Sequence, residues 1–167
     1  MFKVGDKILY PMFGAGIIEA VEEKEVLGNN NLYYILNIPG IRMQIMIPMD
    51  NVANLGIRQV VTPEILENVL SSFHLGDTDP IIYKDQRYCR DVNKKKIRSG
   101  DIYKGTEIIR DLTRKGQRNN KLGAEDKTML NNAREIFVSE LMQIKGFAHE
   151  QAVNFLHEVL DSRVESV

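Results

Sequence analysis

Residues 2–21 read FKVGDKILYPMFGAGIIEAV, and this stretch decides the first half of the fold. Val4, Ile8, Leu9, Tyr10, Ile17, Ile18 and Val21 fall into two short runs of the residue types that pack on a half-buried pleated surface. Between the runs, Pro11 fixes φ, and Gly14 and Gly16 offer positions free of side-chain hindrance, so the chain is expected to bend there. The Gly14-Ala15-Gly16 triplet does not read as a phosphate cradle. That chemistry needs a helix N-terminus behind the glycines, and Ile17-Ile18-Glu19-Ala20-Val21 reads as a strand.

The same signal continues outward. Leu32 to Leu36 is a strand-length apolar run, and Met43, Ile45 and Ile47 then alternate with Arg42, Gln44 and Met46, so one face of that segment is core. Gly28-Asn29-Asn30-Asn31 and Pro39-Gly40 supply the intervening loops. Four or five strands within residues 1–61 predict a Tudor- or SH3-like small β-barrel or sheet.

At Thr62-Pro63-Glu64 the period changes. Thr is a good N-cap and Pro suits the first helical position, while Ile65, Leu66, Val69, Leu70 and Phe73 follow at helical spacing. Gly76-Asp77-Thr78-Asp79-Pro80 ends that helix. Further helices are predicted from about Asp85 to Arg98 and from Asp101 to Lys115, with a polar loop over Gly116 to Gly123. Met129, Leu130, Ala133, Ile136, Phe137, Leu141 and Ile144 then form an amphipathic stripe stopped by Gly146, and a last helix carries Ala152, Val153, Leu156, Val159 and Leu160. The Met and Phe members of these stripes read as core. The fold class is therefore α+β, with residues 1–61 a β-module and residues 62–167 an all-α domain.

Composition narrows the function. A chain of 167 residues with 43% apolar content can bury one good core or two small ones. The single cysteine, Cys89, rules out an internal disulfide and fits a reducing compartment, and no apolar run reaches membrane-spanning length, so a cytoplasmic location is expected. His74, His149 and His157 lack metal-ligand spacing, the serines lie in no nucleophile-elbow pattern, and paired carboxylates, to be found in any chain with 23 of them, carry no signal. No enzyme and no cofactor are expected.

The net charge of −1 conceals a segregation. Residues 84–121 carry 13 Lys and Arg against 5 Asp and Glu, a net of +8, while residues 62–83 and 122–167 come to −4 each. Such a block attracts phosphates without making the whole protein adhesive. Six of its cations, Arg87, Arg90, Lys94, Lys95, Lys96 and Arg98, lie within about three helical turns and cannot all share one narrow face. A solvated helix surface is the alternative account of them.

Taken in order, Val4-Gly5-Asp6, Tyr10-Pro11, Gly14, Ile47-Pro48, Leu55-Gly56-Ile57-Arg58, Ser99-Gly100-Asp101, Arg110-Asp111-Leu112, Met129-Leu130 and Ala133-Arg134 resemble the CarD/CdnL family of bacterial transcription regulators. The opening is also similar to the polymerase-interacting module of the transcription-repair coupling factor. The resemblance spans nearly the whole chain. It implies that residues 1–61 dock on the RNA polymerase β subunit by strand addition, through Arg42 to Ile47, with Lys24, Arg42, Gln44 and Met46 in contact. It also implies that the helical domain holds promoter DNA through its backbone and minor groove, without reading sequence. The DNA-binding set would be Tyr83, Arg87, Tyr88, Arg90, Lys94, Lys95, Lys96, Arg98 and Lys127.

Two departures stand out. Met46 occupies a position that is basic in relatives, and the Trp that the family places before the basic helix as a minor-groove wedge has no counterpart. Counting back without gaps from Ser99-Gly100-Asp101 puts Gln86 there and matching Arg87-Tyr88 to the family puts Lys84 there, with Tyr83 and Tyr88 as the nearby aromatics. The resulting expectation is a monomeric, non-enzymatic regulator that bridges polymerase and upstream promoter DNA and stabilises the open complex. A protein-binding adaptor with no DNA role and a general nucleic-acid-binding module are the alternatives.

Overall fold

The computed structural model describes residues 1–41 and 44–162. Among these, five strands are followed by six helices. The strands are β1 (Lys7–Tyr10), β2 (Gly14–Val26), β3 (Asn29–Asn37), β4 (Ile45–Pro48) and β5 (Arg58–Gln59), and all four pairings in the order β4-β3-β2-β1-β5 are antiparallel. Ile8, Ile18, Tyr34, Leu36, Ile38, Ile47 and Ile57 form this half's core, with Phe2 and Leu55 packed against it.

The expected bend at Pro11 to Gly16 is shorter than predicted. Only Pro11 to Phe13 turn, and Gly14 to Gly16 already belong to β2. Glycine is required at 16 for close approach, because a methyl group there would collide with the Asn37 carbonyl across the β2–β3 pair.

The helices are α1 (Pro63–Ser72), α2 (Ile81–Lys84), α3 (Gln86–Ser99), α4 (Ile102–Asn119), α5 (Ala124–Lys145) and α6 (His149–Asp161). Their starts follow from caps legible in the chain. Thr62 Oγ1 accepts from the Ile65 N–H, Asp85 Oδ1 from Tyr88 and Asp101 Oδ1 from Tyr103. Gly100 and Gly146 end α3 and α5 in the left-handed conformation. The sequence pattern gave no sign of the four-residue α2, and α4 runs four residues beyond the predicted Lys115. Gly116 therefore lies inside a helix, where Leu122 packs over it and a Cβ would come within 3.3 Å of Leu122 Cγ. Leu66, Val69, Phe73, Ile108, Ile109, Leu112, Phe137, Leu141 and Leu156 are in the helical core, and the Phe73 and Phe137 rings meet edge to face at 5.7 Å. No helix among the described residues is long and apolar enough to cross a membrane.

The two halves are joined by α5 lying on β2. Glu140, its side chain 3% exposed, accepts two hydrogen bonds from the Arg58 guanidinium at 2.7 and 2.9 Å and one from the Val61 N–H at 2.9 Å. Arg58 Nε also donates to the Gly100 carbonyl, Ser139 Oγ accepts from the Ala15 N–H, and Lys7 Nζ donates to the Gln143 carbonyl. Hence β5, β1, β2, α3 and α5 are tied at one seam.

Candidate functional site

Helix α3 sorts its cations by position. Arg87, Lys94, Lys95 and Arg98 are exposed at spacings of seven, eight and eleven residues from the first, which puts Arg87, Lys94 and Arg98 in line and Lys95 at the margin of one outward stripe about 100° wide. Arg90 and Lys96 turn aside. Arg90 Nη1 pairs with Glu125 at 3.2 Å and Lys96 Nζ with Glu107 at 3.0 Å. The expected six-cation cluster is therefore a four-cation stripe with two neighbours held by carboxylates. Lys127, on the first turn of α5, is exposed as well.

Other cations of the basic block serve the fold. Lys115 is buried and donates to Asp126 Oδ2 at 2.8 Å and to Gln86 Oε1 at 2.7 Å, while Gln86 Nε2 donates to Asp126 Oδ1. Arg110 pairs with Asp111, and Arg114 donates to the His74 and Gly76 carbonyls. The surface field is thus smaller than the segmental charge suggests. Gln86, one of the two positions that match the family Trp, is itself exposed, and its amide bridges the buried Lys115 and Asp126.

The two candidate aromatic residues differ in the same way. Tyr83 is half-buried with the Arg118 guanidinium 4.3 Å over its ring, so its face is already occupied. Tyr88 is 42% exposed on the first turn of α3.

Cys89, on the inward face of α3, is fully buried beside Lys115. Burial raises its thiol pKa and the nearby Lys115 opposes the shift. A buried, protonated thiol is a poor nucleophile. Cys89 should therefore react with an aromatic disulfide at pH 8 only after urea unfolds the helical region. A fast reaction in the native state would show that α3 opens readily. Among the described residues no group of three or more His, Cys, Asp or Glu could hold a metal ion.

At the sheet, β4 pairs with β3 alone among the described residues and stands at the edge. The Lys24–Asn31 and Ile35–Met46 pairs lie on one face, opposite the core face of Tyr34 and Ile47, and Met46 is 43% exposed there. Gln44 precedes the strand and its Nε2 donates to Glu19 at 3.1 Å, while Lys24 pairs with Glu22 at 3.2 Å. The strand observed is Ile45–Pro48, and Arg42 lies outside the described residues. Of the expected docking set, Met46 thus stands on the edge strand with Gln44 just before it, whereas Lys24 shares their face but lies on β2, two strands in from that edge and near the β2–β3 hairpin tip. The helices pack on β2 and leave that edge uncovered by any strand.

Residues that the sequence reading passed over are Glu140 and Ser139, which couple the halves. A carboxylate inside an apolar helical stripe was the available signal.

Comparison with known proteins identifies the family of both halves. Residues 2–61 match the CarD-like/TRCF RID domain and residues 68–157 match the CarD C-terminal domain. YdeB of Bacillus subtilis (strain 168), named as a candidate transcription factor, is 41% identical over 155 residues, which is 93% of this chain and 99% of the relative.

Proposed function

Because the chain belongs to the CarD family of transcription factors, which are not enzymes, we propose that it bridges the RNA polymerase β subunit and upstream promoter DNA and thereby stabilises the open complex. Binding of RNA polymerase is what an RID domain implies. The division of labour assigns residues 1–61 to the polymerase and residues 62–167 to DNA, in the cytoplasm. One observation carries this reading: the free β4 edge and the four-cation stripe of α3 are mounted on a single frame by the Arg58–Glu140 seam. A bridge needs two binding surfaces at a set separation, and this seam supplies the fixed relation.

The polymerase surface is Gln44 and Met46 at β4, where main-chain pairing would give affinity and these side chains selectivity, with Lys24 of β2 farther along the same face. Replacing Lys24 by Glu and Met46 by Asp together should weaken retention of the full chain on the β subunit about tenfold, with duplex DNA binding unchanged. Undiminished retention would move the docking site elsewhere. If the parent binds polymerase but no DNA, the adaptor reading holds instead.

The DNA surface is the stripe of α3 with Tyr88 at its start. Phosphate contacts position the helix without reading sequence, and a handful of them gives a Kd on the order of 10⁻⁴ to 10⁻⁶ M at physiological salt. Tyr88 supplies the apolar ring that props a base step, since Tyr83 already stacks under Arg118. Tyr88→Ala should shorten open-complex lifetime on a linear promoter several-fold, and Tyr83→Ala should leave it near the parent value. Equal lifetimes for Tyr88→Ala and the parent would remove the wedge role.

A further inference from the structure

We propose that Met12, in the β1–β2 turn of the sheet half, is an apolar contact to duplex DNA that extends the basic stripe of α3. It rests on the DNA reading of α3 and carries the interface across the seam, onto a module otherwise assigned to polymerase alone.

The turn spans Tyr10 to Phe13 and is closed by the Phe13 N–H donating to the Tyr10 carbonyl at 3.0 Å. Pro11 holds its second position. Met12 holds its third, with φ at 76°. Glycine or asparagine adopts that conformation at least cost, and a long side chain is strained in it. Met12 is also 55% exposed, so packing within this chain recovers only part of that strain. A strained, exposed apolar residue is an observation from which function can be inferred.

The backbone under Met12 is braced against the helical half. Pro11 is buried and sits where Gly100 leaves space, since a methyl group on Gly100 would come within 2.8 Å of the proline ring. The Tyr10 and Phe13 rings meet edge to face at 4.8 Å. This places Met12 in a shallow groove whose other walls are Lys94, Ile97 and Arg98 of α3 and Met129 and Asn132 of α5. Among the described residues no carboxylate lines the groove. Lys94 and Arg98 make no ion pair among the described residues, unlike Arg90 and Lys96 on the same helix.

An occupant must therefore offer anions to Lys94 and Arg98 and apolar surface to Met12 in the same groove. A duplex does both, with phosphates along each strand and sugar and base edges on the floor of the minor groove, where Met is among the side chains that other proteins insert. A carboxylate-rich protein surface, including the acidic stretches of a second copy, is the competing occupant.

Two measurements on the full chain separate these. Met12→Gly relieves the positive φ, so it should unfold at no lower temperature than the parent while its affinity for a short duplex falls about fivefold. Met12→Cys and, separately, Arg98→Cys can each be labelled with an iron chelate that cuts nearby backbone, the buried Cys89 being inaccessible to the reagent. Both should cut the duplex, at adjoining positions. An unchanged affinity for Met12→Gly, or no duplex cutting from position 12 while position 98 still cuts, would overturn the assignment and leave the α3 interface standing. No cutting from either position would remove the α3 interface and this extension together. Cutting of a second protein copy from position 12, with the duplex intact, would assign the turn to self-association and also overturn it.

Discussion

Reversing the charge at Arg87, Lys94, Lys95 and Arg98 should remove most duplex DNA binding and nearly all of its salt dependence. These four side chains are exposed on one stripe, whereas Arg90 and Lys96 are held by Glu125 and Glu107. Each phosphate neutralised contributes about −0.9 to the log–log salt slope, so four contacts give roughly −3.6 and a loss of about hundredfold between 50 and 200 mM salt. The fourfold variant should show an almost flat isotherm series and unaltered retention on the β subunit. Changing Lys96 alone should do less to binding, since its ammonium already faces a carboxylate. A variant that keeps the parent slope would place the DNA surface off α3.

Arg58→Met should cost the largest share of folding stability. It leaves the Glu140 carboxylate buried with the Val61 N–H as its remaining donor, and removing one partner of a buried pair typically costs about 3 kcal/mol. For a chain of this size that corresponds to a fall of roughly 10 °C in the midpoint of thermal unfolding. Arg58→Lys should recover little of it, because an ammonium cannot reproduce the two parallel bonds to Glu140 together with the bond to the Gly100 carbonyl. A loss below about 1 kcal/mol would mean that the apolar contacts of α5 on β2 hold the seam by themselves. Functionally, the same variant should keep its separate affinities for polymerase and DNA at low temperature but lose the gain from binding both, since a bridge with a loose joint no longer sets their separation.

Much of the fold was written locally. The change from strand period to helical period at Thr62, the caps at Asp85 and Asp101 and the stops at Gly100 and Gly146 each depend on residues within one turn of each other, so they could be read from neighbouring letters. The strand alternation that puts Ile45 and Ile47 on one side and Gln44 and Met46 on the other has the same origin. The basic block was equally visible as composition, though its effective surface was not.

What the tertiary structure alone decided is which charges remain for a partner and how the two halves are joined. Lys94 and Lys96 are indistinguishable as letters, and only the packing of α3 on α4 puts Glu107 beside one of them. Gly116 has the composition of a helix stop, yet it stays helical with Leu122 packed over it. Arg58 and Glu140 are 82 positions apart, and neither residue's surroundings in the chain point to the other. The physical reason is common to these cases: periodicity and capping act over a few residues, whereas the pairing of a buried charge is set by which distant segment its helix is packed against, and that requires the whole fold to be in place.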